Sequence, residues 1–412
     1  MLESAEEIKR WCVSRRREVL ADSRIKKDVL AIIKRVEEGR DQALRELAHE
    51  LDGVTLKDIG IDVHESPDWK DDPLYRSLQE LAARIREVSK SQHPGNELIL
   101  RFNGYDICIR YFPYKKIGIY VPGGKEGYPS TLLMCAIPAR VAGVREIIVC
   151  TPKPTRGIMM ASHIAGIPRI YTLGGAQAIA AMAMGTLSVP RVEKIVGPGN
   201  VYVTEAKLAL RDQVLIDMPA GPSEMVILAD TTSNPEYIAL DLLAQAEHGL
   251  GGMCLCISTS APMARSVERG LAKYLKRLEN PPRWLRSNIA LGVVKDIDSA
   301  VELINELAPE HVGIMCADAE TISRKIVNAG TVCIGKHSAA AFTDYSSGLN
   351  HVLPTGGYAK IRGGLSVFDF LRQVQYLHVT DPSPLVTSGI EIARAERFLF
   401  HETSMKKRKG RR

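Results

Sequence analysis

Apolar residues follow two rhythms along this chain. Up to residue 50 the spacing is helical. Ser4 can cap a first helix with Glu6 and Glu7 in its first turn, and Val29, Ile32, Ile33 and Val36 mark a second that runs to Gly39. GRDQALRELAHELDGV predicts a third helix, and residues 74–92 a polar, amphipathic fourth. Between Arg101 and Val121 short β-rich runs are broken by Gly104, Pro113 and Gly118, which predicts strands or hairpins.

From residue 117 strands and helices alternate. IGIYV, EIIVC, RIYTL and KIVG read as buried strands, separated by the helices TLLMCAIPARVAGV, RGIMMASHIAGI and AQAIAAMAMGT. VLIDM and MVILAD continue the pattern on either side of PAGPSE. A second set follows: the QAEH helix, MCLCIST, a helix over 262–277, NIALGVV, SAVELINELA, GIMCA, a helix through ISRKIVNAG, and TVCIG. Such alternation marks parallel βαβ units. The fold class expected is therefore α/β: two doubly wound, incomplete Rossmann-like domains with small helical segments at each end. The boundaries expected are an N-terminal helical arm over 1–24, a discontinuous α/β domain over 25–120 and 232–375, a second α/β domain over 121–231, and a helical C-terminal segment over 376–412. No internal repeat is clear, though two αβ halves of similar length hint at a duplication.

Composition narrows the class. With 412 residues, 45% hydrophobic and 25% charged, the chain has the make-up of a globular protein large enough for two cores. Much of the net charge of +6 sits in the terminal KKRKGRR, a solvated, frayed end rather than a nucleic-acid stripe, because no aromatic residues interleave with it. None of the eight cysteines forms a CxxC, the N-terminus lacks an apolar signal core, and Arg140 interrupts the most apolar stretch. A reducing cytoplasm is the simplest compartment, and Cys135 reads as packing.

Candidate chemistry lies in loops and helix ends. Gln245 and His248 stand three apart on one helical face, where an amide oxygen and an imidazole can meet one object, while Glu247 points elsewhere. Tyr120 before Val121-Pro122-Gly123-Gly124, Gln177 in GGAQ and Asn200 in GPGN sit where strands should end, the place open α/β sheets bind ligands. The GGAQ helix start also suits an anion. No GxGxxG fingerprint is present, so tight turns explain these glycines equally well. Glu310-His311 could act as an acid/base pair, and Asp344, Asn350 and His351 occupy a long aperiodic segment. Glu396 and His401 lie five apart in a terminal helix and share a face poorly.

Seven strings, YVPGGKEGYPSTLLMCAIPARVAGV, GGAQAIAAMAMGT, KIVGPGNVYV, IDMPAGPSE, LLAQAEHG, APEH and SSGLNHVLPT, appear in an order that resembles the histidinol dehydrogenase family over nearly the whole chain. The resemblance implies a zinc- and NAD-dependent enzyme that oxidises an amino alcohol through the aldehyde to the acid, the last step of histidine biosynthesis. It implies one zinc per subunit on Gln245, His248, Asp344 and His401, with Glu310 and His311 as acid/base residues. Tyr120, Gln177 and Asn200 would contact NAD. Ser223, His351 and Glu396 would contact substrate, aided by the zinc ligands and His311. It further implies a homodimer whose C-terminal segment completes the partner's site; the apolar runs point to no membrane, and the lone basic tail gives little weight to a nucleic-acid partner.

The chain departs from the family pattern at KHSAAAFTDY, where a Pro-Glu pair and a Gly are usual before the Asp, at Gly249 after QAEH, and at RFLF before His401. Two alternatives follow: a relative acting on another small polar alcohol such as a sulfonated diol, or an idle binding protein on the same scaffold. Glu396 argues for an imidazole-bearing substrate, and the intact Glu310, His311 and zinc set argue against idleness.

Overall fold

Continuous apolar runs become the inner strands of parallel sheets, because such strands are covered on both faces. The computed structural model describes every residue except 21–22, 125–126, 220 and 410–412, and gives no account of the side chains of 17–20 and 23. The end of the basic tail thus lies outside the described residues. Two sheets dominate. The first runs in the order Gly60–Asp62, Arg169–Tyr171, Glu146–Cys150, Lys116–Tyr120, Lys194–Val196, Leu215–Ile216, parallel throughout except for the antiparallel edge strand Gly60–Asp62. The second, wholly parallel, runs Ile289–Val293, Met253–Ser258, Glu224–Ala229, His311–Ile314, Thr331–Ile334. Numbered within its own sheet, each set of five parallel strands has the order 3-2-1-4-5. The two αβ halves legible in the sequence share one winding.

The sheets divide the chain elsewhere than the sequence boundaries do. Residues 25–120 were expected to join 232–375. Instead Ser23–Asp52 packs along Gly175–Met184 and Val201–Ala209, Pro73–Gln92 packs on Pro129–Val141 and Arg156–Ile164, and Lys116–Tyr120 is the innermost parallel strand of the first sheet. Glu224–Ala229, expected to close the 121–231 domain, is the central strand of the second sheet, with all six residues buried. A uniformly apolar run shows that a strand is buried but not in which sheet. Leu215–Ile216 is a two-residue edge strand, and the short segment after it carries the chain across.

The helix over residues 23–52 keeps the expected break as a kink, with Arg40 at φ 48°. The C-terminal region is not helical throughout: Leu371–Val379 is a strand, paired antiparallel with Tyr105–Pro113, which pairs in turn with Glu97–Phe102. The predicted hairpin near 101–121 thus acquires a third strand from the far end of the chain. Helices Ser383–Ala395 and Leu399–Arg408 follow. The N-terminal helix Ala5–Leu20 buries Ile8 and Cys12 in the core of the second sheet, with Val226, Leu255 and Ile304. All eight cysteines are free thiols, and among the described residues no helix is long and apolar enough to cross a membrane.

One buried ion pair ties the first sheet to its loops. Lys207 Nζ donates to Asp217 Oδ1 (2.7 Å) and to the Gly197 carbonyl (2.5 Å), while Asp217 Oδ2 accepts from the Gly197 amide (2.7 Å). Both side chains are almost wholly buried, so removing one leaves an uncompensated charge. Lys207→Met is expected to cost about 3–5 kcal/mol of stability in urea denaturation. A loss below about 1 kcal/mol, the range of an exposed pair, would show that Asp217 is solvated despite its burial.

Candidate active site

The carboxyl ends of one parallel sheet face the amino ends of the other across a cavity of about 420 Å³. Pro122 and the Pro198–Val201 turn, which follow strands of the first sheet, line one wall. Ser223, Gly252, Glu310 and His311, at the starts of strands in the second sheet, line the other. The rule that ligands sit at carboxyl ends thus describes only half of this site.

Asn234 Oδ1 accepts from the amides of Glu236 (2.9 Å) and Tyr237 (3.3 Å) and starts helix Pro235–Ala246. Gln245 lies in its last turn and is buried; His248 stands just past its end, open to solvent on one side. Both line the cavity, although His248 lies past the helix end rather than on the same helical face. The Gly249 carbonyl accepts from Asn288 Nδ2 (2.6 Å), and Asn288 Oδ1 accepts from Arg15 Nη2 (2.5 Å), so the N-terminal helix steadies this turn.

Asp344 sits on a short helix, Ala340–Tyr345, where the sequence suggested an aperiodic loop. Burial pushes its carboxyl up to about 6. His351 holds the segment in place: its Nδ1 lies 3.0 Å from the Asp344 carbonyl and its Nε2 3.0 Å from Thr131 Oγ1. With both nitrogens engaged, His351 serves first to position Asp344. Asn350 does similar work, donating to the Met134 carbonyl at 2.6 Å.

Glu310 and His311 are buried at the wall of the site. Helix Ile297–Leu307 ends on Ala308 in the left-handed region (φ 47°), and Pro309 delivers Glu310 to the strand start. Glu310 Oε2 accepts from the Glu224 amide (2.8 Å) and lies 3.8 Å from His311 Nδ1. Burial raises the Glu310 carboxyl well above its ordinary range and lowers the His311 imidazole to about 4. Neither ring nitrogen of His311 makes a hydrogen bond, although both are buried and Glu310 lies close by. A buried imidazole that is neutral at pH 7 and unpartnered is equipped to take a proton from a ligand.

Asn200 lines the cavity, its Oδ1 committed to capping helix Val201–Ala209 through the Tyr202 and Val203 amides, both at 3.1 Å. Tyr120 and Gln177 do not line it. The Tyr120 hydroxyl accepts from the Gly175 amide (3.1 Å), and Gln177 Nε2 donates to Asp52 Oδ2 (3.1 Å). The helix start read as a place for an anion already has one, since the Asp52 carboxylate also takes the Gly174 amide. Tyr120, Gln177 and Asp52 form a separate cluster at the same end of the first sheet.

Glu396 and His401 are exposed and outside the cavity. They were read as one helix, but Arg397 (φ 62°) separates helix Ser383–Ala395 from Leu399–Arg408. The His401 ring packs on Phe398 at 5.1 Å, beside the exposed side chains of Ile392, Leu399 and Phe400. Among the described residues no group of three His, Cys, Asp or Glu is placed to hold a metal. One chain brings together an amide, an imidazole and a carboxylate instead. Sequence reasoning missed Thr131, Glu224, Asp52, Asn288 and the paired Arg15 and Arg16, none of which carries a local signal.

The family model described as histidinol dehydrogenase matches residues 15–409. A histidinol dehydrogenase from Archaeoglobus fulgidus is 40% identical over 403 residues, covering 95% of this chain and 97% of the relative. One from Sulfurisphaera tokodaii is 41% identical over 389 residues, covering 93% and 95%. The crystal structure of histidinol dehydrogenase from Elizabethkingia anophelis superposes with a TM-score of 0.86 at 33% identity, covering 96% of this chain and 95% of that one.

The Gly197 turn gives a direct test of the cavity wall. Gly197 has φ +108°, and a Cβ there would stand 2.2 Å from the Tyr120 carbonyl oxygen. Gly197→Ala is expected to lower Tm by about 3–8 °C, more than Gly363→Ala, which sits outside the left-handed region and whose Cβ would meet nothing within 4 Å. Equal shifts would mean the turn yields freely. Matched in sequence over nearly its full length and in fold by a solved relative, the chain belongs to the histidinol dehydrogenase family of oxidoreductases.

Proposed function

We propose that the chain oxidises L-histidinol through L-histidinal to L-histidine, using two NAD and one zinc ion per subunit, in a homodimer whose subunits share each site. The observation that carries this reading is the convergence of Gln245, His248 and Asp344 on one cavity with the unpartnered His311 and the buried Glu310. The donor set fits a divalent ion. It offers two oxygen ligands and one nitrogen, and the Asp344 carboxylate, raised by burial, has only His351 as an ion-pair partner among the described residues, at 3.9 Å. A fourth ligand would be His401 of the partner subunit. Zinc bound there would supply Lewis acidity and an anchor for the substrate's amine and imidazole nitrogens. NAD would supply the hydride acceptor, with Asn200 at the cavity wall and Tyr120 and Gln177 farther along the same sheet edge as its contacts.

His311, neutral near pH 7, takes the carbinol proton as hydride leaves carbon. Burial alone favours neutral Glu310, whereas a divalent ion held on Gln245, His248 and Asp344 would favour its carboxylate. That carboxylate would then draw a proton from the water that hydrates the aldehyde before a second hydride departs from the hydrate. Two hydrides and two protons leave in all, and one water is consumed, which balances alcohol to acid. Ser223 and Glu396 of the partner subunit would hold the substrate. A carboxylate bonded to an imidazole N–H would reject substrates lacking that donor, because it would be left unpaired. Retention of the aldehyde between the two oxidations is favoured by the depth of Glu310 and His311.

Zinc-loaded protein given L-histidinol should yield about two NADH per substrate consumed. One NADH with released aldehyde would contradict the two-step reading, and turnover of a different small polar alcohol alone would replace histidinol as the substrate. His311→Ala should lower kcat about 10²–10⁴-fold with zinc content unchanged by metal analysis, whereas His248→Ala should lose the metal. Zinc loss on His311→Ala would make His311 a ligand rather than a base.

A further inference from the structure

Glu224 is a buried carboxylate with no part in the chemistry above, and it is held by the N-terminal helix. Arg16 Nε donates to Glu224 Oε1 (2.7 Å), and Arg16 Nη2 donates to Glu224 Oε2 (2.9 Å) and to the Leu307 carbonyl (2.8 Å). Glu224 in turn gives its amide to Glu310 Oε2. Leu307 ends the helix that, through Ala308 and Pro309, delivers Glu310. One guanidinium therefore clamps the two backbone segments between which Glu310 is suspended: the strand start that donates to its carboxylate and the helix end that sets its Cα.

We infer that Arg16 and Glu224 form a brace that positions Glu310, so that the N-terminal helix acts in the reaction without touching substrate. The inference rests on the reading of Glu310 as an acid/base residue. The helix is built for the task. Ile8, Cys12 and Arg16 recur every four residues on one face; the first two are fully buried in the core of the second sheet and the third reaches Glu224. The planar fork of Arg matches a carboxylate through two parallel bonds and leaves a donor for the Leu307 carbonyl, which a lysine ammonium on a flexible stem does not reproduce. Core packing alone would need only Ile8 and Cys12. Without Arg16 the Glu224 carboxylate is a buried, unpaired charge. It must take up a proton or admit water, and either change moves the strand start on which Glu310 leans.

The test is a double-mutant cycle with L-histidinal as substrate. Arg16→Met should lower kcat about tenfold or more, the scale of a misplaced reacting group, with KM within about twofold. Combined with Glu310→Gln it should add little, because both changes remove one function. Arg16→Met/Glu224→Gln, which leaves no buried charge and keeps the Glu224 amide, should recover much of the lost rate, while Arg16→Lys should not. Should Arg16→Met fail to fold, Glu224→Gln alone, crossed with Glu310→Gln, is expected to show the same non-additivity. Rate losses that multiply independently, or full activity in Arg16→Met, would overturn the brace while leaving the site reading intact. An unaltered chain that oxidises neither L-histidinol nor L-histidinal would overturn the site reading and the brace with it.

Discussion

A parallel strand inside a doubly wound sheet has both faces covered, so its ends are where polar groups can gather. This chain sets the carboxyl ends of one such sheet against the amino ends of another, and the rest of the site depends on that opposition. Loops leaving the first sheet bring Pro122 and the Pro198–Val201 turn, and segments entering the second bring Ser223 and Glu310-His311. In each sheet, both ordered 3-2-1-4-5, a central strand meets the cavity: Lys116–Tyr120 ends near it and Glu224–Ala229 starts at it.

Burial sets the chemistry of what gathers there. Desolvation lowers His311 and raises Glu310 and Asp344, so in the single chain the site favours neutral groups. Their neighbours restrain the site mostly through backbone: His351 bonds the Asp344 carbonyl, Asn288 bonds the Gly249 carbonyl after His248, and the Glu224 amide bonds the Glu310 carboxyl. His311 is left unpartnered among braced neighbours. In its neutral form His311 keeps one ring nitrogen free to accept a proton deep in the cavity, where its neighbours are restrained.

Much of this was legible in the sequence, and the parts that were not share a cause. Periodicity identified the strands and helices of both sheets, and three-residue spacing put Gln245 and His248 together. Periodicity does not say which sheet a buried strand joins, so Glu224–Ala229 and residues 25–120 were assigned to the wrong halves. The strand Leu371–Val379, whose second half fell in the segment read as helical, was missed because its pairing partner lies more than 250 residues away. Glu224, Asp52 and Arg16 went unnoticed because a buried charge is recognisable only once its partner is in space beside it. Tyr120, at the end of a strand, and Gln177, after one, were grouped with Asn200 as NAD contacts; they stand in a cluster beside the cavity, because strand order alone does not resolve one end of a sheet into two places.

In the proposed homodimer this cavity would be complete only when a second copy supplies His401, which in one chain is exposed on the terminal helix beside Phe398 and Phe400. Subunit mixing tests it most directly. His311→Ala and His401→Ala chains, each inactive alone, should on unfolding and refolding together regain about a quarter of the unaltered activity, because random pairing makes half the dimers hybrid and each hybrid keeps one intact site. No recovery from a mixture that demonstrably forms hybrid dimers would mean that each chain builds its site alone, and the account would fail at its base.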